Sequence, residues 1–130
     1  MDKEILLDKS TMIVSQTDLK GNILYANNDF CKIAEYSKDE LIGQPHNLLR
    51  HPDMPKAAFK DLWETLQRGE VWNGIVKNKT KSGDYYWVNA TAYSVTKKAG
   101  EKTLISVRTK PTASEVTEAK TLYKKLKETE

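Results

Sequence analysis

Residues 43–95, GQPHNLLRHPDMPKAAFKDLWETLQRGEVWNGIVKNKTKSGDYYWVNATAYSV, place a polar, proline-bounded loop between two segments patterned like core. In the loop, Arg50-His51-Pro52-Asp53 sets a cation, an imidazole and a carboxylate on a short non-helical connection. The helix that follows is the clearest in the chain. Asp53 stands where a cap belongs, Pro55 suits a first turn, and Phe59, Leu62, Trp63 and Leu66 make one apolar stripe before Arg68-Gly69 ends it. Three strands come next, over residues 71–78, 85–95 and 103–110, joined by the turns Lys81-Ser82-Gly83-Asp84 and Lys97-Lys98-Ala99-Gly100.

Upstream, residues 2–9 are a short amphipathic piece, and Met12-Ile13-Val14-Ser15 and Ile23-Leu24-Tyr25-Ala26 flank the turn Asp18-Leu19-Lys20-Gly21-Asn22, as in a hairpin. Asn27-Asn28 then supplies a cap for a helix with Phe30, Ile33 and Ala34 at helical spacing. Ser37 followed by Glu40 has the spacing of a capping box, and Gly43 stops that second short helix. The expected order is two strands, three helices, three strands. Past Pro111, Ser114 is a candidate cap, and Val116, Ala119, Leu122, Tyr123 and Leu126 recur at helical spacing. That last helix has too little core of its own and reads as a connector to a further module. Residues 1–10 thus read as an N-terminal cap segment, 11–111 as the folded domain and 112–130 as the connector.

A chain of 130 residues, 38% hydrophobic and 30% charged, suits one domain with a real core. It has no apolar run of about 18 residues, and MDKEILLDKS lacks the apolar centre of a signal peptide, so a soluble fragment is expected. The single cysteine, Cys31, permits no internal disulfide and points to a reducing, cytoplasmic compartment. A net charge of +3 with interleaved acids and lysines argues against a nucleic-acid partner. His46, His51, Asp53 and Cys31 have no zinc-type spacing, and no nucleophile elbow or Gly-rich phosphate loop occurs, so neither a metal nor an enzyme is expected.

Strand alternation points to a ligand cavity. Over residues 72–78 a period of two puts Trp72, Gly74, Val76 and Asn78 on one face, opposite Lys77 and Lys79, which are expected to face water. Asn78 is then an inward amide in need of partners. In the next strand Val88, Ala90 and Ala92 face inward, and Gly74 with the two alanines leaves room where bulk would be expected. A void of that kind is costly unless filled, and a flat ligand fits. The opposite face carries Ile75, Trp87, Asn89, Thr91 and Tyr93, too apolar to stay bare, so residues 2–9, a second copy or the downstream module should cover it.

The stretch TDLKGNILYANNDFCKIAEYSKDELIGQPHNLLRHPDMPKAAFKDLWETLQRGEVWNGIVKNKTKSGDYYWVNATAYSV, residues 17–95, resembles the PAS sensory domains, and among them the FAD-binding domain of bacterial aerotaxis receptors. The QPHN-x-x-RHPDMPKAAF segment and WxGIVKN are its most specific parts. The resemblance implies an α+β fold with a five-stranded antiparallel sheet, strand order 2-1-5-4-3, short helices packed on one face, and FAD between them. It implies redox sensing without turnover: electron supply sets the flavin state, the bond to Asn78 rearranges, and the strands relay the change. It also implies a homodimer feeding a HAMP and methyl-accepting region of one receptor, anchored at the inner membrane. Flavin photoreceptors of this fold use a cysteine near the third helix; residues 46–54 have none, so that photochemistry is not expected.

The cofactor-binding set that these residues and the resemblance together imply is Arg50, His51, Asp53, Trp63, Trp72, Asn78 and Asn27, with Trp63 and Trp72 included on the resemblance. Arg50 and His51 suit a pyrophosphate, Asp53 suits orienting them or binding ribose hydroxyls, and Asn78 suits the flavin N5 and O4 edge. Each residue has a plainer alternative: Trp63 and Trp72 as core, Asp53 and Asn27 as helix caps. A haem or metabolite sensor, with His51 as axial ligand, and a cofactor-free interaction module also remain open.

Overall fold

The computed structural model describes residues 2–130. The chain runs β1 (Ile13–Thr17), β2 (Ile23–Ala26), α1 (Asn28–Ala34), α2 (Lys38–Leu41), a 3-10 turn (His46–Leu49), α3 (Lys56–Gln67), β3 (Trp72–Lys79), β4 (Tyr85–Thr96), β5 (Lys102–Thr109) and α4 (Ala113–Glu128). The strands form one antiparallel sheet in the order β2-β1-β5-β4-β3. The β1–β2 turn is held by Asp18, whose Oδ1 accepts from the backbone N–H groups of Lys20 and Asn22 at 2.9 Å. Gly21 there has φ +87°, a conformation that glycine adopts without strain.

Caps fix the short helices. Asn27 Oδ1 accepts from Phe30 N and Val14 N while its Nδ2 donates to Met12 O, so this one amide caps α1 and ties it to β1. Ser37 and Glu40 form the expected capping box of α2. Two expected caps differ. α3 has Pro55 at its cap position and no side-chain cap; Asp53 lies two residues before that position and pairs with Lys77 Nζ at 2.7 Å. α4 is capped by Thr112, not Ser114, since only Thr112 has a glutamate, Glu115, three residues on to complete a capping box.

Ile13, Ile23, Phe30, Leu41, Leu49, Tyr86 and Val88 are wholly buried, and α1 and α3 pack over the inner side of the sheet. Each such side chain contributes about 1.5–3 kcal/mol of transfer free energy. The outer side is covered from within the chain. α4 folds back across it instead of projecting away: Tyr123 stacks on Trp87, its hydroxyl donates to Ile75 O, and Asn89 Nδ2 donates to Glu115. The N-terminal segment lies beside the start of β4, with Ile5 N donating to Tyr85 O and Leu7 buried. The helices therefore do not all occupy one side. Among the described residues no helix is long and apolar enough to cross a membrane.

Candidate functional site

The segment between α2 and α3 is strapped over the inner side of the sheet from edge to edge. At one end Gly43 N donates to Ile23 O and His46 N to Gly21 O; at the other His51 N donates to Lys77 O, and Arg50 bridges Asn78. These bonds hold the 3-10 turn above the sheet, and the apolar stripe of α3 closes the side. Beneath lies a cavity of about 280 Å³, lined by Phe59, Leu62, Trp63 and Leu66 of α3, by Trp72, Val76 and Asn78 of β3, and by Ala90 and Ala92 of β4. Gly21, Lys20, Pro45, Asn47 and Arg50 also line it. The absence of side-chain bulk at the two alanines is what keeps the cavity open.

Its polar wall is unusual. Arg108 on β5 is only 2% exposed and is held by Ser15 Oγ, which accepts from its Nη2 at 2.9 Å, and by His46 Nε2, 3.3 Å from Nη1. Its Cζ lies 4.5 Å from the centroid of Phe30. Among the described residues no carboxylate pairs with it, and its Nε has no hydrogen-bond partner. Burial lowers its pKa to about 10, so the guanidinium stays charged at neutral pH. His46 is pushed the other way from charging: burial, then the charges of Arg108 and Arg50, lower its pKa to about 3, so it stays a neutral acceptor facing Arg108. Asn78, 4% exposed, presents an Nδ2 without a partner to the same wall. Tyr86, opposite Asn78 across β3 and β4, has its pKa raised by burial. A buried cation and a buried amide with unused donors are costly unless something fills the space and meets them.

Of the residues expected to contact a cofactor, Arg50, Trp63, Trp72 and Asn78 come together around the cavity. The Arg50 guanidinium lies 3.5 Å from the centroid of Phe59, with its pKa lowered by burial. His51, Asp53 and Asn27 are outside the lining. His51 Nδ1 accepts from Asp53 N at 3.0 Å and its ring meets Tyr85 edge-on, so it is engaged away from the cavity and offers no axial position for haem there. Asp53 pairs with Lys77, whose hydrogen bond lowers the Asp53 pKa. Lys77 itself departs from its expected place in water: its side chain is 13% exposed and its ammonium lies 4.4 Å from the centroid of the Tyr85 ring. Sequence reasoning missed Arg108, His46 and Ser15. Alternation along β5, which sets Leu104, Ser106 and Arg108 on the cavity side, is a signal that could have placed Arg108 alone; nothing local joins it to His46 and Ser15. Among the described residues no group of three or more His, Cys, Asp and Glu is placed to hold a metal.

Residues 23–108 match the family model described as the PAS fold. The chain is 48% identical over 120 residues, 92% of its length, to the aerotaxis receptor of Escherichia coli (strain K12), and 30% identical over 96 residues to the nitrogen fixation regulatory protein of Klebsiella oxytoca. It spans only 24% and 19% of those two proteins. Among solved structures, the one described as "Flavin Analogue Sheds Light on Light-Oxygen-Voltage Domain Mechanism" superposes with a TM-score of 0.73 at 20% identity, covering 93% of this chain and 90% of the other. At that identity the likeness concerns the fold.

Proposed function

The chain belongs to the PAS family, and on that premise we propose that it is a flavin-binding redox sensor of the aerotaxis-receptor type, with FAD as its cofactor. The observation that carries this reading is the buried, carboxylate-free Arg108 beside the unpartnered Asn78 amide on the wall of a preformed cavity. A bound flavin supplies electron-transfer chemistry and a ring whose charge and protonation depend on redox state. Arg108 favours an electron-rich occupant through its charge. Asn78 offers both a donor and an acceptor, so it suits a ring edge whose hydrogen-bonding pattern changes on reduction. Trp63, Trp72 and Phe59 supply flat apolar walls. At about 280 Å³ the cavity is near the lower end for ligand pockets and accommodates a ring system better than a whole dinucleotide. The phosphates would then leave past Lys20, Asn47 and Arg50, where Arg50 supplies a charge-assisted contact.

As a sensor the domain turns over no substrate. Its signal passes to a HAMP and methyl-accepting region downstream in the same receptor, within a homodimer anchored at the inner membrane, the domain itself lying on the cytoplasmic side without nucleic-acid or direct membrane contact. Redox state shifts this output only by altering the relative free energy of two protein conformations. Hydrogen exchange on the FAD-loaded chain, oxidised and then reduced anaerobically with dithionite, tests the reading. Altered protection in β3 and in the strap over residues 43–54 is expected; identical exchange in both states contradicts redox sensing.

A further inference from the structure

Trp72 separates two spaces. Its indole lines the cavity just described and also a groove between α3, β3 and α4 that includes Ala58, Ile75, Ala119 and Tyr123. Two features hold the ring there. Its Nε1 donates to Asp61 Oδ2 on α3 at 2.8 Å, a bond to a carboxylate and so of the stronger kind. The ring also lies over the backbone of Gly74, two residues along the same face of β3: a Cβ on Gly74 would stand 2.5 Å from Trp72 Cζ2 and closer still to Cη2. Any side chain at position 74 therefore moves the indole. Asp61 is exposed and forms no part of the cavity lining, yet its charge also reaches Tyr123 of α4, helping burial to raise that phenol's pKa.

We propose that Asp61 and Gly74 are positioning residues for Trp72: Asp61 anchors the indole and Gly74 leaves it room, so that one ring serves as the shared wall between the cofactor cavity and the α4 groove. This rests on the flavin reading for its binding consequence, but not for the placement of the ring. A free indole has several rotamers available, and only the anchored one offers the cavity a flat wall. Fixing it in advance lowers the ordering cost of binding.

The test uses the full chain as parent, Asp61→Asn, Asp61→Leu, Gly74→Ala, Trp72→Phe and the Asp61→Leu/Trp72→Phe pair. The first readout needs no ligand: the Trp72 indole N–H resonance in a nitrogen–proton spectrum, identified by its loss in Trp72→Phe. Asp61→Asn keeps an acceptor and should leave the resonance near its place, whereas Asp61→Leu and Gly74→Ala should move it. The second readout is FAD titration. Asp61→Leu should weaken FAD by up to about tenfold, because binding must then immobilise an indole that the parent already holds in place. Asp61→Asn should restore most of the affinity, and Asp61→Leu should add no further loss in the Trp72→Phe background. An unmoved resonance in Asp61→Leu, or an equal loss of affinity in both backgrounds, overturns the proposal. If the parent binds no FAD, the flavin reading fails, and the resonance alone decides the placement of Trp72. Because position 61 is exposed on a helix, leucine there is compatible with folding.

Discussion

Replacing Arg108 with methionine should leave the ligand-free domain at least as stable as the parent while weakening FAD by roughly one to two decades. The two effects have opposite signs because the guanidinium is isolated. Taking a charge out of water costs several kcal/mol, and here no carboxylate offsets it. The neutral partners do not need it: Ser15 Oγ and His46 Nε2 lie 3.3 Å apart and keep each other satisfied. Methionine is unbranched and adaptable, and it replaces the stem of arginine without the desolvation penalty of the guanidinium. The loaded protein, by contrast, loses a charged contact worth roughly 1.5–3 kcal/mol. If that contact acts mainly on the electron-rich form, the two-electron potential should fall by about 30–60 mV. Thermal unfolding with and without FAD, together with a potentiometric titration, reads all three quantities. A large drop in ligand-free stability with unchanged affinity and potential would make Arg108 a structural residue.

Asn78→Ala should likewise separate folding from binding. The amide is 4% exposed with an unpartnered Nδ2, so its removal relieves a buried polar group at the expense of a small cavity, and little net change in ligand-free stability is expected. FAD affinity should fall about tenfold or more. Asn78→Asp should be worse for FAD than alanine, because it sets an anion in the cavity whose cation, Arg108, is the attraction for an electron-rich ligand. Limited proteolysis of whatever loaded protein remains should also lose the difference between oxidised and reduced samples. Parent-like affinity together with a parent-like proteolytic response in both variants contradicts the role given to Asn78.

What the sequence revealed depended on whether a residue's surroundings were local. In β3 the alternation of large apolar residues with lysines fixed the phase, which is why Asn78 and Trp72 were legible from the chain alone; the room expected at Gly74 is taken by the Trp72 indole and does not belong to the cavity. The α2 capping box and the α3 stripe were legible for the same reason: their signals lie within one turn or one face. Three things were not. Lys77 was assigned to water by its charge, but its ammonium lies over the Tyr85 ring and finds Asp53 across the loop. The partner of α4 is the outer face of β3 and β4, more than 20 residues away in sequence, so its apolar positions read as unpartnered. The Ser15, His46 and Arg108 cluster joins residues up to 93 positions apart, and no local pattern announces it.

The chromophore that the purified chain carries decides whether the cavity holds flavin. Its absorption spectrum, followed by heat release of any bound chromophore and mass identification, should show oxidised flavin and stoichiometric FAD, and the flavin should be lost from Arg108→Met under the same purification. A Soret band, or a colourless protein that takes up no FAD on reconstitution, would contradict the assignment of the cavity.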